Sequence, residues 1–223
     1  MLLSIIIFLV IIILYVYTFK LSHPDYKIVT YNDIRDKVKS GDLLLFHSLD
    51  SCNQIYMGSY STHVGVIYKE TENSIPVLVE SFNPYRMLYY PDEFKSGIAI
   101  CDLENRINSY RGFIIYKELA KPISDQANED FAEFIDFAQK NMCYDKNVIA
   151  GEAAKIILNT PFSTETNCGQ FTTLILIKLG LLSFNHFKER RKHHLRFVSQ
   201  LTKLRNNFYK SPVYVFSEYF KLP

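Results

Sequence analysis

Residues 2–19 read LLSIIIFLVIIILYVYTF, with no charged side chain among them. An uncharged stretch of this length suits a helix crossing a bilayer, with Tyr15 and Tyr17 in an interfacial belt near its end. A cleaved signal peptide would need a basic leader and a small-residue cleavage site. No basic residue precedes the run, and TFKLSHP is a poor match for such a site. The expectation is therefore a single-pass anchor over residues 1–20. Lys20, Lys27, Arg35, Lys37 and Lys39 follow it, and positive flanks stay on the cytosolic side, so the remainder is expected there. Residues 21–30, with Pro24, read as a linker, and 31–223 as one domain, a length that supports a single core.

The domain should be ordered. Hydrophobic residues make up 48% of the 223-residue chain, with 16 Tyr and 17 Phe, enough apolar surface to offset the entropy of folding. A formal charge of +2 gives no reason to expect nucleic acid as a partner. Basic surface is local instead, in HFKERRKHHLRF, where Lys188, Arg190, Arg191 and Lys192 could meet anionic head groups beside an anchored domain. A solvated helix face is the plainer alternative. The four cysteines, Cys52, Cys101, Cys143 and Cys168, are widely spaced and include no CxxC pair, so they read as thiols, and neither a metal site nor a cofactor is expected.

Period and punctuation outline an α+β chain. TYNDIRDKVKSG predicts a short helix capped by Thr30 and ended by Gly41, followed by a strand in DLLLFHS. THVGVIYKE and IPVLVESF alternate and are joined by polar TENS, which predicts an antiparallel hairpin. With its turn centred near Glu72 or Asn73, paired positions sum to about 143–147, and His63 becomes a neighbour of Glu80. A slip of one residue would turn Glu80 to the other face. GIAICDL and GFIIYKE are strand-like. Ser124 opens an amphipathic helix with Ala127, Phe131, Phe134, Ile135 and Ala138 as its buried stripe. Another helix is expected over Val148–Leu158, then a loop in NTPFSTETN. The run Phe171–Leu182 is apolar on nearly every face and reads as a core helix with Gly180 as a stop signal.

Cys168 stands at the start of that last helix, after the candidate N-caps Thr166 and Asn167. Unpaired N–H groups and the helix dipole favour negative charge there, which lowers a thiol from its free value of about 8.5 and makes thiolate available. The other cysteines lack this: Cys143 follows a helix C-terminus, Cys101 sits in a strand and Cys52 in a loop. A buried small hydrophobe is the alternative reading of Cys168, and a hydrogen-bonded strand histidine that of His63. Glu80 inside VLVESF is harder to dismiss, because a carboxylate buried in a strand needs a partner. Cysteine, histidine and an acid to orient the imidazole form the minimal set for nucleophilic acyl transfer.

SGDLLLF, STHVGVIY, VLVES and TNCGQFTTLIL, in that order, resemble the circularly permuted papain-like thiol hydrolases, the YiiX/YaeF-type branch of the NlpC-like superfamily with poxviral and giant-virus relatives. In ordinary papain-like enzymes the cysteine helix precedes the histidine strand; here the histidine comes first. The resemblance runs from about Ile28 to Leu182. It implies an antiparallel sheet packed on helices, Cys168 as nucleophile, His63 as general base and acid, and Glu80 as the residue orienting His63. The cysteine box is also similar to that of lecithin:retinol acyltransferase relatives, where a histidine usually stands at the third position. Glu80 there implies the first branch and a membrane-anchored cysteine amidase or peptidase. Lipid acyl hydrolysis or transfer, and a tethered binding module without catalysis, are the alternatives.

Overall fold

Alternation in STHVGVIY and VLVESF builds the hairpin at the centre of the computed structural model, which describes residues 5–12, 27–47, 61–82, 97–110, 112–144, 165–182, 209–210 and 213–216. Strands β3 (Ser61–Tyr68) and β4 (Val77–Phe82) pair antiparallel from Val66↔Val79 to Tyr68↔Val77. Each rung sums to 145, so the turn centres between Glu72 and Asn73. Around the hairpin lie β1 (Ile28–Val29), β2 (Leu43–His47), β5 (Gly97–Asp102), β6 (Phe113–Lys117) and β9 (Val213–Phe216), giving a seven-stranded sheet of order β1-β9-β6-β2-β3-β4-β5. All pairings are antiparallel except β1 with β9. β7 (Cys143–Tyr144) and β8 (Glu165–Thr166) form a separate parallel pair.

β2 is apolar at successive positions because the sheet is covered on both sides. Leu43 and Leu45 face one layer with Val64, Val66, Val79 and Ile115, against helices α4 (Asp125–Asn141) and α5 (Cys168–Lys178). Leu44 and Phe46 face the other with Ile67, Leu78 and Tyr116, against α2 (Tyr31–Ile34) and α3 (Leu103–Ser109). Each fully buried Leu, Ile or Phe contributes about 1.5–3 kcal/mol. Gly65 permits close approach within the hairpin: a Cβ there would come within 2.9 Å of Leu78 Cγ.

α4 follows its predicted stripe. The Ser124 hydroxyl accepts the Ala127 N–H at 3.2 Å, Phe131, Ile135 and Ala138 are buried, and Ala127 and Phe134 pack at the margin. Several expectations are corrected. Thr30 is the N-cap as predicted, with Asp33 completing a capping box, but the helix is one α turn followed by a 3-10 turn over Arg35–Lys37; it ends short of Gly41, where Val38 turns extended and the Asp42 carboxylate accepts the Lys39 N–H. Ile28–Val29, read as linker, is an edge strand with Val29 buried. Glu165–Thr166, read as loop, pairs with Cys143–Tyr144. α5 stops at Lys178 rather than Leu182, since Gly180 at φ 68° reverses the chain and the Leu181 and Leu182 N–H groups both return to Leu176 O.

Residues 5–12, the described part of the apolar N-terminal run, form helix α1 with every side chain exposed. No helix among the described residues is long and apolar enough to cross a membrane. Val148–Leu158, Cys52 and the basic segment with Lys188, Arg190, Arg191 and Lys192 lie outside the described residues.

Candidate functional site

The hairpin register brings His63 and Glu80 together. By the 145 rule Glu80 stands opposite Gly65, two positions from His63 and just past the last β3–β4 rung, so the two side chains meet diagonally. His63 Nε2 and Glu80 Oε2 are in direct contact, and both residues are buried. Phe46, paired with His63 across β2–β3, holds its ring 5.5 Å from the imidazole.

Cys168 reaches the same imidazole from the opposite layer. Asn167 is the N-cap of α5: its Oδ1 accepts the Gln170 N–H at 2.9 Å and its carbonyl the Phe171 N–H at 2.9 Å, while Gln170 Oε1 returns to the Asn167 N–H at 3.4 Å. The reciprocal cap fixes Cys168 as the first helical residue. The thiol belongs to the apolar layer between sheet and helices, is 6% exposed, and adjoins the His63 ring closely enough to act on its charge. Since Nε2 is engaged by Glu80, Nδ1 is the nitrogen left for the sulfur. One imidazole thus joins the two layers of the protein.

The electrostatics follow from these partners. Burial would pull the His63 imidazole down, but the adjoining Cys168 sulfur and Glu80 carboxylate outweigh it and raise the group to about 9. Burial would push Glu80 up; Arg106 first and His63 second hold it down at about 2.

Arg106 is the residue that sequence reasoning missed. It lies in α3, a seven-residue helix capped by Asp102, whose carboxylate accepts the Asn105 N–H at 2.8 Å. Leu103 and Ile107 pack into the core, and Arg106, 3% exposed, turns to Glu80 with Nε 2.9 Å from Oε1. Two signals were present: Leu103 and Ile107 at helical spacing after a capping Asp, and a buried acid with lone pairs to spare after one histidine.

Of the other thiols, Cys101 lies in β5 with its Sγ donating to Glu80 Oε1 at 3.6 Å and to Leu78 O at 3.7 Å; beside that carboxylate, burial pushes it well above the usual thiol range. Cys143 is exposed at the start of β7, and Cys143 and Cys168 are free thiols. Among the described residues no cluster of three or more His, Cys, Asp or Glu could hold a metal ion.

No family model matches this chain, and no curated protein does. Among solved structures it is similar to the crystal structure of the metalloprotein YiiX from Escherichia coli O157:H7, at 15% identity over 81% of this chain and 97% of that one, with a TM-score of 0.48. A likeness of this degree assigns no chemistry to the residues above.

Proposed function

We propose that the protein is a thiol hydrolase of the circularly permuted papain-like type that cleaves amide bonds, with Cys168 as nucleophile, His63 as general base and acid, and Glu80 as the residue orienting the imidazole. One observation carries the reading: the Glu80 carboxylate meets the His63 ring, and Cys168 opens the helix that packs on the His63 strand and adjoins that ring. In the first half-reaction the sulfur, its proton already held on His63 Nδ1, attacks the carbonyl carbon as thiolate, and the backbone N–H of Cys168 at the helix start donates to the developing oxyanion. The C–N bond then breaks, with the leaving nitrogen taking the proton from Nδ1. Water attacks the resulting thioester, His63 accepts a proton from it, and breakage of the C–S bond leaves thiolate beside the protonated ring once more. Glu80, acceptor-only while ionised, keeps Nε2 as the bound N–H throughout.

The test is covalent labelling. In a Cys143→Ala background, substoichiometric iodoacetamide or an amide-directed thiol probe is expected to label the chain with or without Cys52→Ala, and to lose that labelling with Cys168→Ala. Equal labelling of Cys168→Ala in that background rejects the assignment.

The exposed apolar residues of α1 favour tethering of the domain to a bilayer through residues 1–20, and with it a second reading in which the scissile group is a lipid acyl ester. Release of fatty acid from phospholipid vesicles by the full chain, absent with Cys168→Ala, separates lipid acyl hydrolysis from amide cleavage. A binding module that needs no chemistry predicts that Cys168→Ala functions normally in the cell.

A further inference from the structure

Glu80 has two carboxylate oxygens, and His63 engages one of them. The carboxylate is gripped from α3: Arg106 Nε donates to Oε1 at 2.9 Å and Nη2 to Oε2 at 3.4 Å. The guanidinium is itself held by rings. Its central carbon sits 4.2 Å from the Phe46 ring centroid and 5.5 Å from that of Tyr110, and these two rings stand edge to face at 4.9 Å. Phe46 is also the ring beside His63. A planar fork stacked on aromatic faces fixes the plane of the carboxylate it binds, which a flexible ammonium does not.

We propose that Arg106 is a positioning residue of the site, clamping Glu80 from behind so that Oε2 is presented to His63 Nε2. It touches neither sulfur nor substrate and acts through Glu80, and in this it rests on the thiol-hydrolase reading. Among the described residues, the titratable groups facing Glu80 are His63 from β3, Cys101 from β5, Arg106 from α3 and Tyr110 just after it. Burial pushes the Cys101 thiol and the Tyr110 phenol up, so both stay neutral and the clamp is the fixed positive charge of the group.

The full chain is compared with Arg106→Lys, which keeps the charge and loses the fork, and with Arg106→Gln, which loses both. Two readouts are taken: the pH profile of Cys168 alkylation by iodoacetamide, and the downfield proton resonance of the His63 N–H bonded to Glu80. Arg106→Lys is expected to lower the alkylation plateau by at least roughly tenfold, as misplacement of a reacting group does, and to move the resonance upfield, with the acid limb unmoved. In Arg106→Gln the acid limb shifts to higher pH, because Glu80 loses the first of the two charges that keep it ionised. In a Glu80→Gln background Arg106→Lys has no further effect.

Wild-type plateau and resonance in Arg106→Lys overturn the proposal. So does an equal loss in both backgrounds, which marks a purely structural role. Should Arg106→Gln fail to fold, Arg106→Lys and the double variant decide alone. A wild type inert to alkylation removes the hydrolase reading instead, and the resonance still reports whether Arg106 acts through Glu80 on His63.

Discussion

Asp42, in the turn before β2, and Glu80, in β4, are both fully buried carboxylates, yet their surroundings push them in opposite directions. Asp42 is held by neutral donors: the Leu119 N–H at 2.7 Å, the Tyr116 hydroxyl at 2.7 Å and the Lys39 N–H at 3.0 Å, with the Lys39 ammonium further off at 3.7 Å. Burial outweighs these and raises it to about 6. Glu80 meets a guanidinium and an imidazole, which outweigh equal burial and hold it at about 2. Neutral donors satisfy lone pairs without balancing charge; cations do both. Asp42 therefore reads as a tie: it joins the turn before β2 to the end of β6, and its carbonyl accepts the Ile67 N–H of β3 at 2.8 Å. Glu80 keeps its charge at every pH at which an imidazole needs orienting.

The contrast is broken most severely at Glu80. Glu80→Leu leaves Arg106 charged and buried without its carboxylate, a change that costs about 3–5 kcal/mol when one partner of a buried ion pair is removed. Urea unfolding at pH 7 measures it. A loss below that of any Asp42 variant would mean that the two sites do not differ in kind.

Asp42→Ala comes next. It strands the Leu119 and Lys39 N–H groups and the Tyr116 hydroxyl, for an expected loss of about 2–3 kcal/mol in the same measurement. Tyr116→Phe in that background should then cost almost nothing, because the hydroxyl has already lost its acceptor. A full additional loss there would show that Tyr116 stabilises the fold through packing rather than through Asp42.

What the sequence disclosed about these two carboxylates and their surroundings is uneven, for physical reasons. The His63–Glu80 meeting was legible because hairpin register follows from strand period and turn position, both local quantities. The start of α5 was legible because Asn167 and Gln170 form a reciprocal cap within four residues. Arg106 was not, since Leu103 and Ile107 give α3 a single helical interval, which marks a helix but not which polar residue turns inward, and its partner is 26 positions away. The tie at Asp42 was hidden likewise: Tyr116 and Leu119 are 74 and 77 positions distant, and nothing local marks SGD as more than a turn. β9 is a short strand beyond the basic run, and its place beside β6 depends on the finished sheet.

The smallest expected effect, and the sharpest test of the contrast, is the pH dependence of Asp42→Asn. The variant keeps an acceptor oxygen and removes the titration. In wild type the folded value of about 6 lies above the ordinary 3.8, so the folded state binds this proton more tightly. The stability that Asp42 contributes is then fully present below about 3.8 and is lost as pH rises through 6. Near pH 4 the variant should be less stable by about 1 kcal/mol, the worth of one good hydrogen bond, and the gap should close or reverse by pH 7.5. Glu80, lowered, contributes stability that is lost only as pH falls below its ordinary 4.5 towards 2; His63, raised, contributes stability that is lost as pH rises from 6.5 through about 9. Both occur in wild type and variant alike and cancel in the difference. Urea unfolding of wild type and Asp42→Asn from pH 4 to 7.5 isolates Asp42, and a gap that widens with pH would place it among cation-held carboxylates, erasing the distinction between Asp42 and Glu80.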